Sequence, residues 1–137
     1  MTPEQSKAEV IDAAREIVRV LRLNGVSATF HRESCNDQGQ PPFRGIVELN
    51  YNHAPTLKES RAEIQKMVQV LKQHGWSDQS DFHSHSPHVT KQGVTAIFDP
   101  YSPIQNWGGS VEIDGQCRDM TTNRNTLPEP VLPDQLT

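Results

Sequence analysis

APTLKESRAEIQKMVQVLKQHGW, residues 54–76, reads as a helix set in the middle of strand-like sequence. Thr56 is placed to cap it, Glu59 follows three residues on, and Gly75 ends it. Leu57, Ile64, Met67, Val68 and Leu71 fall on one stripe at helical spacing. One apolar stripe implies one covered face, so this helix lies on a sheet rather than being buried all round. The chain's opening, MTPEQSKAEVIDAAREIVRVLRLNG, has the same design over about Pro3 to Leu23. Thr2 and Gln5 can form a capping box around Pro3 at the first helical position. Val10, Ala14, Ile17, Val18 and Leu21 make the stripe, and Asn24-Gly25 offers a left-handed stop.

Between and after the helices the apolar period shortens to two. VSATFHR (26–32) alternates Val26, Ala28 and Phe30, and FRGIVELNY (43–51) sets Phe43, Val47, Leu49 and Tyr51 on one face. HVTKQGVTAIFD (88–99) reads as a hairpin turning at Lys91-Gln92-Gly93, and SVEIDGQCRDM (110–120) supplies a strand around Val111 and Ile113. The expected order is α-β-β-α-β-β-β. It defines an α+β two-layer sandwich: an antiparallel sheet of about five strands with two helices on one face. Residues 1–120 form this single domain, and residues 121–137, polar and proline-rich, are expected as an extended tail.

The 137 residues carry a net charge of −4, with 34% apolar and 22% charged side chains. That balance excludes compositional disorder, and the scattered lysines and arginines form no stripe for nucleic acid. No apolar run spans a bilayer and no signal-peptide core opens the chain.

The two cysteines, Cys35 and Cys117, flank strand ends among polar neighbours rather than sitting in an apolar run. That context suits neither a buried free thiol nor a metal site, and it favours a Cys35–Cys117 disulfide formed in an oxidising compartment. A disulfide would also consume Cys35 as a nucleophile.

DFHSHSPH (81–88) is the stretch richest in metal-binding residue types. On a strand, His83 and His85 would share one face, as two zinc ligands do, and His88 would need a bend at Pro87 to join them. With no third ligand or general base beside them, a metal-dependent hydrolase using His83 and His85 is the alternative reading, and solvent-facing histidines the favoured one. NWGGS (106–110) lacks the strand, helix and lysine of a phosphate loop and reads as a turn or bulge. Ser34 and Ser110 sit in no nucleophile-elbow context, and Asp37 and Arg44 are expected to order the loop around Pro41-Pro42.

ESCNDQGQPPFRG (33–45), with FHSH, TKQGVTAIF and GQCRDM downstream, resembles the mycobacterial LppA-type lipoproteins over most of residues 5 to 122. The resemblance implies a place rather than an activity: export, lipidation on an N-terminal cysteine, and attachment to the outer face of the plasma membrane. Signal and lipobox cysteine are missing from this sequence, so membrane association is expected only through an N-terminal lipid anchor absent from this chain. The resulting expectation is a non-catalytic extracytoplasmic domain of a cell-envelope lipoprotein. It would bind a lipid, a cell-wall component or a partner protein, with no cofactor, no metal and no nucleic acid.

Overall fold

The computed structural model describes residues 1–79 and 86–137. Two helices and six strands are formed: α1 (Pro3–Leu21), β1 (Ser27–Ser34), β2 (Phe43–Asn50), α2 (Leu57–Lys72), β3 (His88–Lys91), β4 (Val94–Asp99), β5 (Ser110–Asp114) and β6 (Glu129–Val131). The strands make one sheet in the order β3-β4-β5-β2-β1-β6, every pair antiparallel.

Register explains the two-layer architecture. Phe30 lies opposite Val47, Val47 opposite Ile113, Ile113 opposite Ala96 and Ala96 opposite Val89. A parallel row runs Ala28, Leu49, Val111, Phe98. These residues, with Val10, Ala14 and Ile17 of α1 and Ile64, Met67 and Leu71 of α2, form one buried core. Each strand alternates, so its other residues face away from the helices. α1 crosses the sheet where β2 carries Gly45; a Cβ there would stand 3.0 Å from both Phe30 and the Ser6 carbonyl. Any larger residue would have to push these neighbours, and Val10 at 3.1 Å, aside.

The helix starts follow the sequence. Thr2 and Gln5 complete the capping box, and Thr56 Oγ1 accepts from the Glu59 N–H. The end of α1 differs from expectation. Gly25 is left-handed as expected, at φ 63°, but Arg22 takes that conformation first, at φ 53°, and the Leu23 N–H donates to the Val18 carbonyl. The closing bond draws Leu23 back towards the helix and so ends α1 early. The β3–β4 turn has positive φ at both Gln92 and Gly93, the geometry that suits a two-residue hairpin.

The expected sheet of about five strands has six, because the segment read as a tail contributes one. Glu129–Val131 pairs with β1, and a 3₁₀ turn, Pro133–Leu136, buries Leu136 against the core. Thr126 and Asn125 also bond the backbone of Arg32 and Ser34. Pro130 sits on an edge strand, where its missing N–H costs no ladder bond. No helix among the described residues is long and apolar enough to cross a membrane.

Candidate functional site

The Cys35 loop is structured by its own side chains. Cys35 and Cys117 are bonded (S–S 2.08 Å), joining residues 82 apart in sequence. Beside the bond, Phe43 and Asp119 exchange two backbone hydrogen bonds. Asn36 Oδ1 accepts from the Gln38 and Gln40 N–H groups, and the Ser34 hydroxyl donates to the Gln40 carbonyl. The loop is therefore ordered by Ser34 and Asn36, not by Asp37 and Arg44 as expected. Arg44 instead lies 3.5 Å from Asp114 on the open sheet face, because strand alternation turns it away from the loop. Asp119 is fully buried, which pushes its pKa up. The Thr122 hydroxyl, the N–H groups of Thr122 and Thr121, and Arg32 outweigh burial and hold it below the usual range. This end of the molecule is a staple, held by the disulfide, the Phe43–Asp119 bonds and the paired Asp119 carboxylate.

His83 and His85 lie outside the described residues. Among the described residues no group of histidine, cysteine or acid could hold a metal ion. His88 opens β3 and belongs to the open face, opposite Ile97. NWGGS closes the β4–β5 connection as a turn, with positive φ at Asn106, Gly108 and Gly109.

The open face gathers acids that the sequence scatters. Glu48 lies directly opposite Glu112, with Asp114 two residues along β5 and Asp99 on β4. Burial and then the Glu112 charge push the Glu48 carboxyl up to about 7. Burial also raises Asp114 to about 7, with Arg44 opposing and Glu112 reinforcing the shift, and it raises Asp99. Like charges facing each other across strands are destabilising. A group whose native pKa is raised binds protons that the unfolded chain has released, so stability should fall as pH rises from about 4.5 to 7. Glu48→Gln should raise stability at pH 8 by about 1–2 kcal/mol, allowing for solvent around the half-buried side chain, and flatten the pH dependence. Urea unfolding at pH 5 and 8 checks this; a wild type equally stable at both refutes it.

A groove of about 610 Å³ lies at the far end of α1 from the disulfide. α1 begins beside Arg32, whose guanidinium donates to the Pro3 carbonyl, and ends beside β2, where the Asn52 N–H donates to Asn24. Val20, Leu21 and Leu23 form one wall, and Ala62, Met67 and Val70 of α2 the other. Arg22, Lys66, Glu59 and Glu63 stand among them. Tyr51, just past β2, lines the groove from the sheet side; it is only 5% exposed, and its buried hydroxyl has no hydrogen-bond partner among the described residues. Burial and then the Glu63 charge push the Tyr51 pKa up, so the phenol stays protonated and able to donate. Around it, Glu63 accepts from the Ala54 N–H, and the His53 ring stacks on Tyr101 at 4.1 Å.

A smaller cavity of about 280 Å³ between α1 and the β3–β4 hairpin differs in kind. There Glu16 accepts from Trp76 Nε1 and Lys91 Nζ. Burial raises its pKa, but these two bonds prevail and hold it below the usual carboxylate range. The cavity's charges are spent on joining elements.

A profile of the family described as "Putative lipoprotein LppJ" matches residues 2–132. The chain belongs to the LppJ lipoprotein family. LppJ proteins of two Mycobacterium tuberculosis strains (CDC 1551 / Oshkosh and ATCC 25618 / H37Rv) and of Mycobacterium bovis are 32% identical to it over 129 residues, 91% of this chain. The chain spans 65% of the length of these LppJ relatives. No solved structure matches significantly. The resemblance carried by the Cys35 loop named the LppA type; the mycobacterial lipoprotein relation stands, and the family is that of LppJ. The family points to a membrane-anchored envelope protein.

The sequence had placed Tyr51 on the core face of β2 but missed the groove. The available signal was chemical: a tyrosine on a core-facing position must bury a hydroxyl, and nothing adjacent in sequence is positioned to pair with it.

Proposed function

We propose that the chain is the folded extracytoplasmic domain of an envelope lipoprotein, and that it binds a ligand in the α1–α2 groove rather than catalysing a reaction. The observation that carries this reading is the groove itself: apolar walls, a volume of about 610 Å³ and one buried polar atom without a partner. Small-molecule sites combine these features, at about 300–1,000 Å³. The surface disulfide supports an oxidising compartment. An anchor attached ahead of α1 would hold the disulfide end towards the membrane and turn the groove outward.

Expressing the domain in a mycobacterial host behind the export signal and lipidation site of an LppJ relative tests both parts. Protease added to intact spheroplasts should remove it; a chain protected until lysis would refute the location. Native mass spectrometry of the released domain should show a one-per-chain adduct that Ala62→Trp lacks, since an indole on that exposed helix position would fill the groove. Identical bare masses for both proteins would refute binding.

A further inference from the structure

We propose that the groove takes a neutral single-chain amphiphile, its alkyl chain along Leu21, Leu23, Met67 and Val70 and a hydrogen-bond-donating head at Tyr51 and Glu63; this rests on the binding reading above. The chain assignment follows from the walls. Leu21 and Leu23 are only partly buried against the core, and with Met67 and Val70 they leave an apolar strip open to the groove. Covering that strip with an alkyl chain removes it from water. Charged residues stand among the apolar ones on both walls, which leaves a strip suited to one chain.

The head-group assignment follows from charge. Arg22 and Lys66 balance Glu59 and Glu63, so the rim offers no net charge to an ionic ligand. Next to Tyr51 the balance is local and negative, because Glu63 lines the same groove and is held there by the N–H of Ala54, three residues past the tyrosine. A carboxylate or phosphate head would meet repulsion there. A hydroxyl or amide head can donate to Glu63 and pair with the tyrosine hydroxyl, which both donates and accepts. The hydroxyl is closed to solvent, so a head reaches it only as the side chains over it move aside; a buried polar atom without a partner is costly, and a ligand that supplies one recovers that cost on binding.

The discriminating pair is 1-monolauroylglycerol and laurate, equal in chain and opposite in head charge. Both are titrated calorimetrically into the purified domain at pH 8, below their critical micelle concentrations. Monolauroylglycerol should bind one per chain, about tenfold or more tighter than laurate. Tyr51→Phe should weaken it about five- to tenfold, the worth of one hydrogen bond, and leave laurate unchanged. The same variant should melt no lower than wild type, because its hydroxyl has no internal partner to lose. Ala62→Trp should abolish both interactions. Equal affinity for the two ligands, indifferent to Tyr51→Phe but lost in Ala62→Trp, would overturn the amphiphile class and leave the binding reading standing. Failure of both to bind would also overturn it, with the adduct measurement judging the binding reading separately. A lower melting temperature for Tyr51→Phe would reveal an internal partner and overturn the role given to the hydroxyl.

Discussion

Ile17→Asp and Ile64→Asp should each abolish cooperative folding. Ile17 is fully buried under α1 and Ile64 is 1% exposed under α2, both in the core shared with the sheet. Each substitution deletes a packed side chain, worth about 2–5 kcal/mol as a cavity, and brings a carboxylate into the apolar core. The combined cost, on the order of 5 kcal/mol or more, rivals the entire stability of a domain this size. Far-UV circular dichroism melts should lose their sigmoid, whereas Gln65→Asp, on the exposed face of α2, should melt like wild type. A normal transition in both isoleucine variants would refute the helix-on-sheet packing.

Replacing both cysteines by serine should cost about 4–5 kcal/mol at 25 °C, on the loop-entropy account of a cross-link between residues 82 apart. The folded state should change little, because Phe43 and Asp119 hold the same junction with two backbone bonds and Asp119 caps the turn behind it. The effect lies in the unfolded chain, which gains freedom once the loop opens. Urea unfolding should show a lower midpoint for the double variant and for reduced wild type alike. Unchanged midpoints would mean that the bond constrains little.

The elements of this fold were legible where local chemistry decides them. Both helices could be read because caps and a 3.6-residue apolar period act within a few turns of chain. Five of the six strands were visible from alternation, including the hairpin, where Gln92-Gly93 meets the positive φ its turn requires. Leu23 was placed inside α1 because its sequence remains apolar and helix-compatible; a closing bond to Val18 excludes it. β6 was hidden for the opposite reason. Three residues with a central proline carry no period, and Glu129–Val131 becomes a strand only because β1 presents an edge and the core accepts Val131 and Leu136.

Sequence by itself determined the helix-and-strand order from α1 to β5, the core face of each of those elements and the position of Cys35 and Cys117 at strand ends, because these depend on neighbours in the chain. Tertiary structure alone decided the register that sets Glu48 against Glu112, the pairing of Arg44 with Asp114, and the groove. The groove's walls come from the end of α1, the end of β2 and one side of α2, segments without contact until the sheet forms. The lone hydroxyl of Tyr51 is the same kind of fact: a residue's identity fixes its hydrogen-bonding capacity, but only packing determines whether a partner is within reach.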